Sequence, residues 1–313
     1  MIHSTRNSID RCPRCSQGLL NMNALDGTCA SCGLQWRIVG NTLFFGNDEK
    51  DTYPPFRNVG WWANKITKAV LARLDPLHSP WSPVSWIAKI RAERYYRRCL
   101  MDREYARRFA AHYFSGVDIR AGAKVLDHGC GRGRITAILS QLGCEVVGQD
   151  VRRHQWWGQI DAASFVVCPP GFETLSYADG SFDVLINVMV IGHMPPKALE
   201  AHFREVNRVL TKGGYYFLLE ANSRGYGSHV PRKRYGRLHD LESVQRIAAE
   251  TNFDVNRIGY EGFYAPIFPI HINTIRKTFN PFTPLRIEDY DSMLARLLPP
   301  EKRAVWLLLL RKS

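Results

Sequence analysis

In the stretch VLDHGCGRGRITAILSQLGCEVVGQD, Val125 to Asp150, glycines at 129, 131 and 133 follow a short apolar run and an acid closes the segment. Glycine at these positions lets the backbone bend sharply and approach a ligand without a Cβ in the way. The spacing is G-x-G-x-G, not the G-x-G-x-x-G that delivers a pyrophosphate to a helix N-terminus. It points to a ligand that carries a ribose but no pyrophosphate. Asp150, 21 residues after Gly129, is placed to accept hydrogen bonds from two ribose hydroxyls. Strand, turn, helix, strand and acid in this order make the signal specific.

A second set of residues can do different chemistry. Cys12, Cys15, Cys29 and Cys32 form C-x2-C-x13-C-x2-C, the spacing of a structural zinc site in which two short turns each present a pair of thiolates. Four protein ligands close a tetrahedron and leave no open position for a reacting water, so the expected role is to hold a short segment that has little core of its own.

These groups need a frame. Residues 36–48 read as one or two short strands that end a ribbon over residues 1–48. Residues 49–84, rich in Pro and Trp, read as a linker with one short helix near 63–74, and residues 86–114 as one long Arg-rich helix or two. From residue 124 strands and helices alternate. Strands are expected at 125–127, 145–149, 164–167, 182–187, 215–220, 253–260 and 305–310. Helices are expected at 134–142, from Pro195-Pro196 to before Gly213-Gly214 with Leu199, Phe203, Val206 and Leu210 inward, at 240–251 and near 292–298; an irregular insert lies near 262–290. Alternation of this kind predicts an α/β fold with a mostly parallel, doubly wound sheet in a domain spanning 115–313.

The formal net charge is +13, and it is uneven. Residues 1–115 carry 17 basic against 9 acidic side chains, residues 116–220 carry 10 against 11, and residues 221–313 carry 15 against 9. The basic excess lies outside the glycine-turn region and suits an anionic partner, whether nucleic acid, a phosphorylated metabolite or a membrane surface. No apolar run approaches the ~20 residues that span a bilayer, and the first residues lack the apolar stretch of a signal peptide. A cytoplasmic location is the expectation, with peripheral membrane contact left open.

The chain resembles the class I S-adenosylmethionine-dependent methyltransferases over about residues 115–260. VLDHGCGRG is similar to their first motif, VVGQD to their second, LSYADGSFDVLINVMVIGHMPP to the segment around the fourth strand, and EVNRVLTKGGYYFLLE to the approach to the fifth. The resemblance implies a Rossmann-like sheet of seven strands with the last antiparallel, and S-adenosyl-L-methionine as cofactor. It implies that the turn from Gly129 through Cys130 and Gly131 to Gly133 wraps the methionine part, that Asp127 supports the turn and the amino group, and that Asp150 holds the ribose. Val151, Trp156 near the adenine, Phe172 through its backbone, Glu173 and Asn187 complete the expected cofactor set. The amino-terminal ribbon is similar to a zinc ribbon fused to, or partnering, methyltransferases.

Methyl transfer from a sulfonium is a direct displacement, so most of the acceleration can come from holding the nucleophile in line. A base, if used, belongs after the fourth or fifth strand, where His193, Glu220, Tyr226 and His229 lie. For His193 the alternative is a residue that fixes the loop, and for Glu220 one that ends a strand. Arg224, Arg232, Lys233, Arg234 and Arg237 follow the fifth strand, on the substrate side of this architecture, and hint at an anionic acceptor or at a solubilising loop. Three functions compete: methylation of a small or medium-sized acceptor, lipid-linked, sugar-like or natural-product-like; methylation of RNA, favoured by the basic flanks and the ribbon but lacking an Asn-Pro-Pro-aromatic tetrapeptide after the fourth strand; and a non-catalytic cofactor-binding scaffold. Oligomeric state is not legible.

Overall fold

The computed structural model describes residues 9–17, 24–46, 102–154, 156–168, 175–225, 238–261 and 295–313. The expected helix near 63–74, the upstream part of the 86–114 helix, the insert near 262–290 and residues 292–294 of the 292–298 helix lie outside the described residues, as do Phe172, Glu173, Tyr226 and His229; of the described residues 295–298 only Ala295 is helical.

Among the described residues ten strands form one sheet: β1 (Asp26–Thr28), β2 (Gln35–Val39), β3 (Thr42–Phe45), β4 (Lys124–His128), β5 (Glu145–Asp150), β6 (Ala163–Val167), β7 (Phe182–Val188), β8 (Leu210–Ala221), β9 (Phe253–Glu261) and β10 (Val305–Lys312). Their order is β1-β2-β3-β6-β5-β4-β7-β8-β10-β9. The strands from β6 across to β8 run parallel, and β10 runs antiparallel to both β8 and β9. The seven strands from β6 to β9 are the expected Rossmann-like sheet with its last strand reversed.

The apolar runs of the central strands follow from burial on both faces. Val125, Val146, Phe165, Val184, Phe217 and Leu307 enter one core. Their neighbours Leu126, Val147, Val166, Leu185, Leu218 and Leu308 enter the other. The first core is covered by helices α1 (Arg103–Tyr113) and α2 (Arg134–Gln141), the second by α3 (Pro196–Val209) and α4 (Leu241–Glu250). Asp102 accepts a hydrogen bond from Tyr105 N at 2.9 Å and so caps α1; Asp240 does the same for α4 through Ser243 N.

One local expectation changes. Helix α3 stops at Val209 and Leu210 opens β8, so Gly213-Gly214 sits inside a strand instead of before one. The register against β7 jumps from Phe182↔Leu210 to Val184↔Tyr215, and Gly213 absorbs the irregularity at φ +75°, a left-handed conformation that favours glycine. The amino-terminal strands join the main sheet: β3 pairs in parallel with β6, Thr42↔Phe165 to Phe44↔Val167. Asn41 locks the junction by donating its side-chain N–H groups to the carbonyls of Trp157, Ile160 and Ala163 at 3.2 to 3.3 Å. Among the described residues no helix is long and apolar enough to cross a membrane.

Candidate functional site

β4 lies where the strand order reverses, with β5 on one side and β7 on the other, and in an open α/β sheet the ligand crevice opens beyond the carboxyl ends of strands at that point. The glycine turn follows β4 there. Gly129, Gly131 and Gly133 all have positive φ, +78°, +54° and +78°, but they do different jobs. A Cβ at Gly129 would come within 2.3 Å of Val190 Cγ2, and one at Gly133 within 2.8 Å of Ile160 Cδ1; these two are notches filled by packing. A Cβ at Gly131 would meet nothing within 4 Å. That open space is what a ligand can fill.

The turn is held from three directions. Gln149 O accepts the N–H groups of Gly129 (2.8 Å) and Cys130 (3.0 Å). Asp150 accepts from Gly131 N at 2.7 Å through one carboxylate oxygen and from Val151 N at 2.7 Å through the other. Trp157 Nε1 donates to Gly131 O at 2.8 Å, and its indole stacks on Phe165 at 4.5 Å. Asp127 reaches over the turn to accept from Thr136 N (3.0 Å) and Oγ1 (2.6 Å), which satisfies a buried N–H of the first turn of α2 where the N-cap residue, Gly133, has no side chain. Burial pushes the Asp127 carboxyl up to about 6. Val151 is 43% exposed beside Asp150, an apolar face at the crevice rim. Of the paired tryptophans, Trp157 is buried and Trp156 half-buried. Trp157 as a turn anchor escapes sequence reasoning because nothing distinguishes it from its neighbour.

The wall opposite is the segment after β7. Met189 takes φ +59° without being glycine, a strained conformation that surrounding contacts must hold. Glu220, 5% exposed at the end of β8, accepts from Val190 N at 2.5 Å and Ile191 N at 2.8 Å through the same oxygen. His239 Nε2 donates to the carbonyls of Ile191 and Met194 at 3.1 and 3.2 Å, a contact no sequence signal announced. Both anchors set Val190 into the notch at Gly129. His193 lies exposed at the end of the short turn that follows. Arg224, first of the basic cluster, pairs with Glu242 at 2.6 Å; the rest of the cluster lies outside the described residues.

Desolvation pushes Glu220 up to about 7 from 4.5, against the N–H groups that favour its anion. An acid raised in the fold holds its proton more tightly there than when unfolded. Its stabilising contribution is full below about 4.5, decays from there to about 7, and is gone above. Glu220→Gln keeps the acceptor oxygen and removes the titration, so its stability relative to the parent protein should rise by about 3 kcal/mol from pH 4 to pH 8, read from denaturant midpoints at the two pH values.

Asn187 is fully buried and its amide is fully engaged. It donates to His128 O (2.7 Å) and His128 Nδ1 (3.0 Å), and accepts from Tyr216 OH (2.6 Å) and His202 Nε2 (3.0 Å). The amide thus ties β4, β7, β8 and α3 together beneath the turn. Because His128 Nδ1 accepts here, the network assigns its proton to Nε2. Burial holds His128 neutral, down to about 4, with its ring stacked on His202 at 5.0 Å.

Residues 126–218 match the methyltransferase domain family. The match takes in the glycine turn, Asp150 and the β7 segment. Methyltransferase GfsG of Streptomyces halstedii is 33% identical over 134 residues, which are 39% of this chain and 46% of that protein. An uncharacterised methyltransferase of Synechocystis sp. is 31% identical over 114 residues, 36% of this chain and 54% of its own length. The 2-methyl-6-phytyl-1,4-hydroquinone methyltransferase of the same organism is 37% identical over 119 residues, 36% of each chain. The chain thus spans about half or less of the length of these relatives.

Outside the methyltransferase-matched stretch, the four cysteines converge as their spacing predicts. Their sulfur atoms all lie within 4.8 Å of one another, with Cys12–Cys32 at 3.5 Å and Cys15–Cys29 at 3.8 Å. A tetrahedron with metal–sulfur bonds of ~2.3 Å has edges of about 3.8 Å, so the donor set fits a metal ion. The two turns repeat one geometry: Ser16 N donates to Cys12 O and Gly33 N to Cys29 O, each at 2.9 Å, and Ser16 and Gly33 are both left-handed, at φ +57° and +71°. Cys12 and Cys29 are buried in the core that also holds Leu175, Tyr177 and Leu185.

Proposed function

We propose that this protein is an S-adenosylmethionine-dependent methyltransferase acting on a small or medium-sized organic acceptor, with a structural Zn2+ in the four-cysteine site. One observation carries the reading: Gly131 faces open space beside the Asp150 carboxylate, at the switch point of a parallel sheet and within a stretch that matches a methyltransferase domain. Bound S-adenosylmethionine supplies a methyl group activated on a sulfonium. In this reading the backbone from Gly129 to Gly133 wraps the methionine part, Asp127 keeps the turn seated on α2, Asp150 binds the ribose hydroxyls, and Val151 with Trp156 borders the adenine. Phe172, Glu173 and Asn187 are the remaining cofactor contacts.

The acceptor is bound on the side of the β7 and β8 loops. Glu220 and His239 hold the 189–194 segment that shapes this side, and the exposed His193 is the candidate proton acceptor, with Tyr226 and His229 as alternates. The finer assignment is an anionic, lipid-linked or sugar-linked acceptor. It is supported by the basic residues after β8 and by a relative named for a phytyl hydroquinone.

The test is to incubate the protein with a cell extract and methyl-labelled cofactor and search for a labelled product heavier by one methylene unit, while titrating S-adenosylhomocysteine calorimetrically. A labelled small molecule and saturable binding are the expected results. Labelled RNA, with binding that falls steeply with salt, would shift the acceptor to nucleic acid; no binding at all would sink the reading.

A further inference from the structure

A continuous chain of hydrogen bonds joins the four-cysteine site to the glycine turn. Ile9, just ahead of Cys12, forms an antiparallel bridge with Tyr177. The N–H groups of Asp10 and Arg11 both reach Ser176 O, at 3.1 and 3.4 Å. Arg11 pairs with Asp179 at 2.9 Å, and Arg208 of α3 holds the same carboxylate at 2.8 Å. The first cysteine turn is thereby clamped to residues 175–179. From there the buried Tyr177 donates its hydroxyl to Gln149 Oε1 at 2.8 Å, and Gln149 O is the acceptor for Gly129 N and Cys130 N. A second link runs through the sheet: β3, which follows the second cysteine turn, pairs with β6, and β6 pairs with the β5 strand that ends in Asp150.

We propose that metal binding at Cys12, Cys15, Cys29 and Cys32 is thermodynamically coupled to S-adenosylmethionine binding at the glycine turn, with Tyr177 the positioning residue that transmits the coupling; this rests on the cofactor and zinc assignments above. Cys12 and Cys29 pack into the core while Cys15 and Cys32 stay partly buried at its edge, so a bound metal would tie the outer half of each turn to the inner half. Fixed turns hold residues 175–179, and these set Gln149 and the turn it supports. Coupling of this kind is reciprocal: a ligand at the turn must tighten the metal by the same factor as the metal tightens the ligand.

The experiment uses the zinc-loaded full chain, titrated with a competing chelator with and without saturating S-adenosylhomocysteine. Zinc should be held roughly tenfold more tightly with the nucleoside bound. In Tyr177→Phe, which keeps the ring and all four thiolates, this gain should shrink to about two- to fourfold by loss of the hydroxyl link, the strand pairing through β3 and β6 carrying the rest. Arg11→Ala, at the half-exposed end of the clamp, should lower it too and serves if Tyr177→Phe does not fold. An unmoved competition curve in the parent protein overturns the proposal. So does an undiminished gain in the variants, since the linkage would then run through global folding. Zinc-loaded protein that gives no calorimetric signal with S-adenosylhomocysteine would instead remove the cofactor assignment, and with it this coupling.

Discussion

Asp150→Ala should weaken S-adenosylhomocysteine binding by at least a hundredfold while leaving a folded protein. Hydrogen bonds to a charged group contribute roughly 1.5–3 kcal/mol each, and in the proposed complex the carboxylate serves two ribose hydroxyls. It also holds Gly131 N and Val151 N in the free protein. These two N–H groups lie at the crevice rim, where water can replace the carboxylate, so the loss of stability should stay near 1 kcal/mol. Calorimetry and a thermal melt on the same sample separate the two effects. Unchanged affinity would show that this end of β5 does not touch the nucleoside.

The glycines of the turn should divide into two classes when each is replaced by alanine. Gly129→Ala adds a Cβ where Val190 already sits, 2.3 Å away, in a left-handed conformation. The clash and the backbone strain together should remove about 2–4 kcal/mol of stability, because Val190 is held by Glu220 and cannot retreat freely. Gly131→Ala meets no protein atom within 4 Å and should lower stability only by the roughly 1–2 kcal/mol of a left-handed alanine. Its methyl group, however, projects into the crevice, and cofactor affinity should fall more than tenfold. Equal thermal losses in both variants, or a Gly131→Ala protein that binds normally, would contradict the division of labour.

How much of this was legible in the sequence follows from the range of each interaction. The glycine turn, Asp127, Asp150 and the four cysteines are marked by residue type and spacing within short windows; the turn follows β4, Asp150 ends β5 and the four sulfur atoms converge. Strand and helix positions in the sheet were readable for the same reason, since alternation and 3.6-residue periodicity are local. Leu210 was misassigned because its apolar character suits the end of α3 and the start of β8 equally, and only pairing with Phe182 decides. Trp157, His239 and Tyr177 gave no signal: each acts on a residue 26 to 48 positions away, through contacts that exist only once the sheet is built. The network around the Asn187 amide is equally silent in the sequence, because His128, His202 and Tyr216 reach it from three different elements.

The parallel pairing of β3 with β6 has a bearing on solubility. Without a neighbour, β6 would present a row of unpaired amides along a five-residue strand buried along its whole length, the kind of open margin onto which foreign chains dock and from which fibrils grow. The ribbon strands occupy that margin and hand it outward to β1, only three residues long. A terminus that short offers little template for intermolecular association.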